Sequence, residues 1–131
     1  MIGRHESREA AFKALFALDG NPEADREQVY QDVLGDDQVA SDYMVALIDG
    51  VLAHEAELDA AITGKLKAGW RLDRLTRPDL VVLRLGLYEV QYEPDLPDKV
   101  AVNEAIELAK KYSDDQAAKF VNGILGQYVK A

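Results

Sequence analysis

Cysteine is missing from all 131 residues, which removes thiolate nucleophiles, zinc–cysteine clusters and disulfide frameworks together and fits a reducing compartment. No segment approaches the roughly 20 consecutive apolar residues that cross a bilayer. The opening residues, with Arg4, Glu6, Arg8 and Glu9, lack the apolar stretch of a secretory signal. The expectation is a cytoplasmic protein with no membrane attachment. Phosphate-cradling glycine loops of the P-loop or G-x-G-x-x-G kind are absent, and no serine has the glycine-flanked setting of a nucleophile elbow. His54-Glu55 opens like a zinc-binding H-E-x-x-H helix, but Leu58 stands where the second imidazole is needed. Asp19, Asn21 and Glu23 alternate like the start of a calcium loop, with Ala24 in place of its turn glycine. No catalytic, metal or cofactor site emerges, so binding rather than catalysis is expected.

Positive charge is also scarce. Fifteen Lys and Arg face 24 Asp and Glu, a formal net charge of −9, and an acidic protein repels phosphate at long range. The average hides a gradient: residues 1–18 carry three basic and two acidic groups, 19–59 one basic and twelve acidic, and 60–131 eleven basic and ten acidic. The acidity is therefore local, and Lys65, Lys67, Arg71, Arg74, Arg77 and Arg84 face only Asp73 and Asp79 over their own span. A basic surface patch is compatible with this chain.

What is present is helical periodicity. At 48% apolar and 30% charged residues, the chain reads as one globular domain, residues 1–131, with enough apolar material for a single core. Turn signals at Asp19-Gly20, Gly35, Pro94 and Pro97 divide it. Asn21-Pro22 reads as a cap opening a second helix, and Ser41 to Lys67 as one long amphipathic helix. Thr76-Arg77-Pro78-Asp79 reads as a capping box for a helix to Tyr92, which is apolar on nearly every side and so belongs at the centre. Asp98 is expected to cap the next helix, and Ser113-Asp114-Asp115-Gln116 to form a second capping box for the last one. The fold class is all-α, with six or seven helices around the central one.

Two stretches point to a ligand. The first helix's stripe of Ala11, Phe12, Leu15 and Leu18 extends backward through Arg8 and Arg4, setting guanidinium groups beside the positive end of the helix dipole. In the last helix the stripe centres on Ala117, Ile124 and Tyr128, which leaves Phe120 at its margin beside Gln116, Lys119 and Gly123. A half-exposed ring next to a lysine suits stacking of an unpaired base. Lys110, Lys111 and Tyr112 close the preceding helix nearby.

Three strings carry a family resemblance: Ser7-Arg8-Glu9-Ala10-Ala11 leading to Ala14-Leu15-Phe16; Leu83-Arg84-Leu85-Gly86-Leu87-Tyr88-Glu89; and the run from Val100 to Tyr112, continued by Lys119-Phe120-Val121-Asn122-Gly123-Ile124-Leu125. Together with the Trp70–Leu75 segment they make the whole chain resemble the NusB family of bacterial transcription antitermination factors. The resemblance implies two helical subbundles and no catalytic activity. It implies binding of single-stranded boxA-type RNA with the ribosomal protein NusE, and indirect association with other Nus factors and RNA polymerase, suppressing premature termination, notably in ribosomal RNA operons. By position it places Arg4, His5, Arg8, Lys110, Tyr112, Gln116, Lys119 and Phe120 on the RNA surface, and Arg77 and Asp79 on the NusE surface.

One departure bears on affinity. The family's N-terminal motif is often a denser arginine run, whereas Glu6 and Ser7 interrupt it here and His5 carries only partial charge near neutrality. Weak RNA binding by the isolated protein is expected, and a helical interaction module that has lost RNA binding is the alternative. Arg84, in the central apolar helix, needs a carboxylate such as Glu104 or Glu89, and Asn103 and Asn122 read as buried amides serving caps or interhelical bonds. Monomer and homodimer both remain open from sequence.

Overall fold

The structure, a computed structural model, describes residues 3–35 and 37–129. Among these residues every regular element is helical: α1 (Arg4–Gly20), α2 (Arg26–Leu34), α3 (Asp42–Ala53), α4 (Glu55–Lys65), α5 (Arg77–Tyr92), α6 (Asp98–Tyr112) and α7 (Asp115–Leu125), with single 3-10 turns at Leu72–Arg74 and Gly126–Tyr128. No described helix is long and apolar enough to cross a membrane. The chain divides into two compact units, residues 1–50 and 51–131, in line with the two subbundles that the resemblance implies.

In the first unit α1 packs on α2, burying Phe12, Leu15, Leu18, Val29 and Tyr30. Pro22 does not open α2. Ala24 N–H closes a turn onto Asn21 C=O at 3.1 Å, and the helix starts four residues later, behind Asp25. The expected Asn-Pro cap instead terminates α1, since Asn21 N–H bonds Ala17 C=O.

The long helix expected over 41–67 is two helices. Ser41 caps α3, its hydroxyl accepting from Met44 N–H at 3.0 Å, but at His54 the backbone moves to φ −109°, ψ 13° before α4 begins. The apolar spacing runs through the break because His54 C=O still accepts from Leu58 N–H at 2.9 Å. The imidazole stacks on Tyr92 at 4.4 Å between ring centroids, which holds the junction against α5. Glu55 and Glu57 lie in the first turn of α4, where carboxylates favour a new helix start.

The second unit is built on α5. Thr76 Oγ1 accepts from Asp79 N–H, Pro78 occupies the first turn, and Val81, Val82, Leu83, Leu85, Leu87 and Glu89 are buried. α6 and α7 pack on α5 and on each other. Two caps differ from expectation. Pro97 holds the N-cap position of α6, with Asp98 inside the first turn, and Ser113 ends α6 while Asp114 caps α7, its carboxylate accepting from Ala117 N–H at 2.7 Å. Aspartate in the first turn serves the dipole nearly as well as at the cap, so a one-residue shift costs little.

Gly86 sets how closely the three helices approach. A β-carbon there would stand 2.6 Å from Leu125 Cδ1 and 2.9 Å from Ala105 Cβ. Leu125 can rotate away, but the Ala105 methyl is fixed to the α6 backbone. Gly86→Ala should therefore destabilise the protein by about 1–2 kcal/mol, overpacking outweighing the roughly 1 kcal/mol gain in helix propensity. Urea unfolding checks it, and an unchanged or higher midpoint would mean that α6 yields freely.

Candidate nucleic-acid interface

The first cluster belongs to the N-terminal unit. Arg4 and His5 are exposed on the opening turn of α1, as an N-terminal phosphate contact requires. Glu6 turns back, its carboxylate accepting from Gly3 N–H at 2.6 Å. Arg8 is different. The side chain follows the apolar stripe inward and is 3% exposed, with Nη2 donating to Tyr43 Oη at 3.4 Å. Its guanidinium lies 5.9 Å from the Tyr43 ring centroid, and that of Arg4 lies 4.8 Å from the same ring. Both distances are within cation–π range. Tyr43 is held in turn by the start of α3, where the Ser7 and Ser41 hydroxyls hydrogen-bond at 2.7 Å. Arg8 is thus an inner strut under the Tyr43–Arg4 layer rather than an open phosphate contact.

The second cluster lies in the C-terminal unit. α7 buries Ala117, Ala118, Val121, Ile124 and Leu125, which leaves Gln116 and Lys119 exposed and Phe120 half-buried at the stripe margin. Lys110 is exposed at the end of α6 and Tyr112 half-buried, with Lys111 Nζ 5.7 Å from the Tyr112 ring centroid. Phe120 has a neighbour that the sequence pattern does not mark as a site residue. The Trp70 ring lies 6.1 Å from it at 37° and lines a cleft with Arg74, Asp79, Gln116 and Phe120. The only signal for it in the sequence is a lone tryptophan between Gly69 and Arg71, in a turn where a large ring has little core to enter.

The family model described as the NusB family matches residues 5–130. The chain belongs to the NusB family. A transcription antitermination protein NusB of Lacticaseibacillus casei (strain BL23) is 59% identical over 131 residues, spanning 100% of this chain and 97% of that protein. Among solved structures, T. maritima NusB is 37% identical with a TM-score of 0.86, over 97% of this chain and 90% of that one. A structure of antitermination factors NusB and NusE in complex with dsRNA is 29% identical with a TM-score of 0.81, over 95% and 94% of the two chains.

The residues that the NusB resemblance assigns to NusE, Arg77 and Asp79, open α5. Arg77 is exposed, while Asp79 Oδ1 is buried and has no hydrogen-bond partner among the described residues. The expected structural residues fare unequally. Arg84 forms a bidentate fork to a carboxylate other than the two expected: Nε to Asp59 Oδ1 at 2.7 Å and Nη2 to Asp59 Oδ2 at 2.8 Å, with Nη1 to Glu55 Oε1 at 2.8 Å. The clamp fastens α4 to α5. Glu89 is buried and Glu104 half-buried, but Asn103 and Asn122 are exposed, so neither is a buried amide. Each lies on the solvent side of a helix whose other face is filled by alanine, valine and leucine.

Because the Arg84 side chain is only 11% exposed, its truncation would strand Asp59. Arg84→Ala should cost about 3 kcal/mol and lower the thermal midpoint, while leaving RNA affinity below that midpoint within about twofold of the parent. Lost RNA binding at unchanged stability would overturn the structural role.

Proposed function

We propose that this chain acts as a transcription antitermination factor, binding single-stranded boxA-type RNA together with NusE and joining other Nus factors on RNA polymerase. The observation that carries this reading is the full-length relation to proteins named transcription antitermination protein NusB, at 59% identity. The solved relative in complex with NusE and dsRNA supports NusE and an RNA as partners. The protein works in the cytoplasm by binding alone, without catalysis.

On this reading the RNA contacts the exposed cations Arg4, Lys110 and Lys119, with His5 and Gln116 adding hydrogen bonds and Phe120 and Tyr112 offering ring faces. Arg8 serves by holding Tyr43 beneath Arg4, and Arg77 and Asp79 lie on the NusE side. With only three exposed cations assigned to the RNA surface on this reading and a net charge of −9, the isolated protein makes few phosphate contacts, and NusE strengthens the complex by adding contacts of its own.

Fluorescence anisotropy with a boxA-like RNA across a salt series tests this. Binding should be weak alone, with a shallow salt slope, and at least tenfold tighter with NusE. Arg4→Ala should flatten the slope by about 0.7, one phosphate contact on a single strand. Arg8→Ala should show its main effect in thermal unfolding, at about 1–3 kcal/mol. Absence of RNA binding with and without NusE would favour the interaction-module alternative instead.

A further inference from the structure

The reading above leaves Trp70 without a role. It is the only tryptophan of the chain and is 53% exposed. A tight turn presents it: Gly69 adopts φ +89°, a conformation that a side chain would strain, and Trp70 N–H bonds Lys67 C=O at 3.0 Å. The next residues fasten the loop, with Arg71 Nε donating to Asp73 Oδ1 at 3.1 Å. That pair holds the Asp73 carboxyl below the ordinary carboxylate range. The loop is therefore shaped to hold the indole out rather than to bury it.

The ring faces Phe120. The two are splayed at 37° with centroids 6.1 Å apart, so they form the walls of an open wedge rather than a closed stack. The cleft between and beside them has a volume of about 360 Å³, with Arg74, Thr76, Asp79 and Gln116 at its floor and rim. Its charge argues against a phosphate site. Arg74 is offset by Asp79, and the Asp114 carboxylate at the edge is already engaged in capping α7. Two ring faces beside polar groups of both signs suit a flat, uncharged, hydrogen-bonding heterocycle.

We infer that Trp70 and Phe120 form a two-ring cleft that receives one unpaired nucleobase of the bound RNA. This deepens the RNA-binding reading and rests on it. Trp70 is the added recognition residue, Phe120 the opposing wall, and Gln116 the side-chain amide placed to bond the edge of the base.

The single indole makes the test specific. Trp70 emission and RNA anisotropy are followed together while the full chain, alone and with NusE, is titrated with a boxA-like single-stranded RNA. A set of RNAs with one abasic nucleotide at each position in turn is titrated in the same way. Emission should quench in step with anisotropy, and one abasic position should remove the quench. Trp70→Ala should weaken binding roughly tenfold, Trp70→Phe less than threefold, and Trp70→Ala should add no further loss on that one abasic RNA. If anisotropy reports binding while Trp70 emission is unchanged and Trp70→Ala binds like the parent, the cleft is not a base site although the RNA reading stands. A change in emission with NusE alone and none with RNA assigns the cleft to protein contact and overturns the inference. No RNA binding under any condition removes the RNA reading, and the inference with it.

Discussion

The approach of α6 and α7 to α5 at Gly86 is the contact on which the candidate surface depends. With no side chain at that position, Ala105 and Leu125 come within reach of the α5 backbone, and the three helices share one tightly filled interior. That packing fixes the rotation of α7. Ala117, Ala118, Val121, Ile124 and Leu125 are consumed by the interior, so Gln116 and Lys119 have no place but the surface, and Phe120 lies between the two environments. Tyr128 secures the end of the same unit, its hydroxyl donating to Ala61 C=O at 3.0 Å. The chemistry offered to a ligand is what the core leaves over.

Electrostatics imposes the second constraint. An acidic protein that binds a polyanion must do so through local contacts, since the Debye length near physiological salt is about 8 Å and distant carboxylates are largely screened. The acidic residues of 19–59 and the exposed cations Arg4, Lys110 and Lys119 occupy different stretches of sequence. Buried guanidinium groups do not add to this cationic supply. Arg8 and Arg84 are both held by side chains of the protein itself, Tyr43 in one case and Asp59 with Glu55 in the other. With Arg8 and Arg84 turned inward, the proposed RNA surface leans on stacking as well as charge, and salt weakens stacking little.

Periodicity and punctuation make much of this arrangement legible in the amino-acid sequence. The central position of α5 follows from its apolar residues, and the half-buried setting of Phe120 from its angle on the α7 wheel. The same wheel holds the answer for Arg8: a residue in register with Ala11, Phe12 and Leu15 goes where they go, and placing it on the RNA surface sets aside its own geometry. The break at His54 is not legible because one hydrogen bond carries the apolar rhythm across it. Asp59 as the partner of Arg84 lies 25 residues away in sequence, and only the pairing of α4 with α5 brings them together. Asn103 and Asn122 defeat the expectation of burial because an amide inside a strongly patterned segment says nothing by itself about which face it occupies. Trp70 gives no periodic signal, being in a turn.

The central claim is that RNA meets a restricted set of side chains on an otherwise acidic protein. Backbone and side-chain N–H resonances followed by two-dimensional NMR during titration with a boxA-like RNA test it most directly. The account predicts shifts concentrated at Arg4, His5, Lys110, Gln116, Lys119, Phe120 and the Trp70 indole, with residues 19–34 unmoved. Shifts spread evenly over the chain, or centred on the acidic stretch, would contradict it.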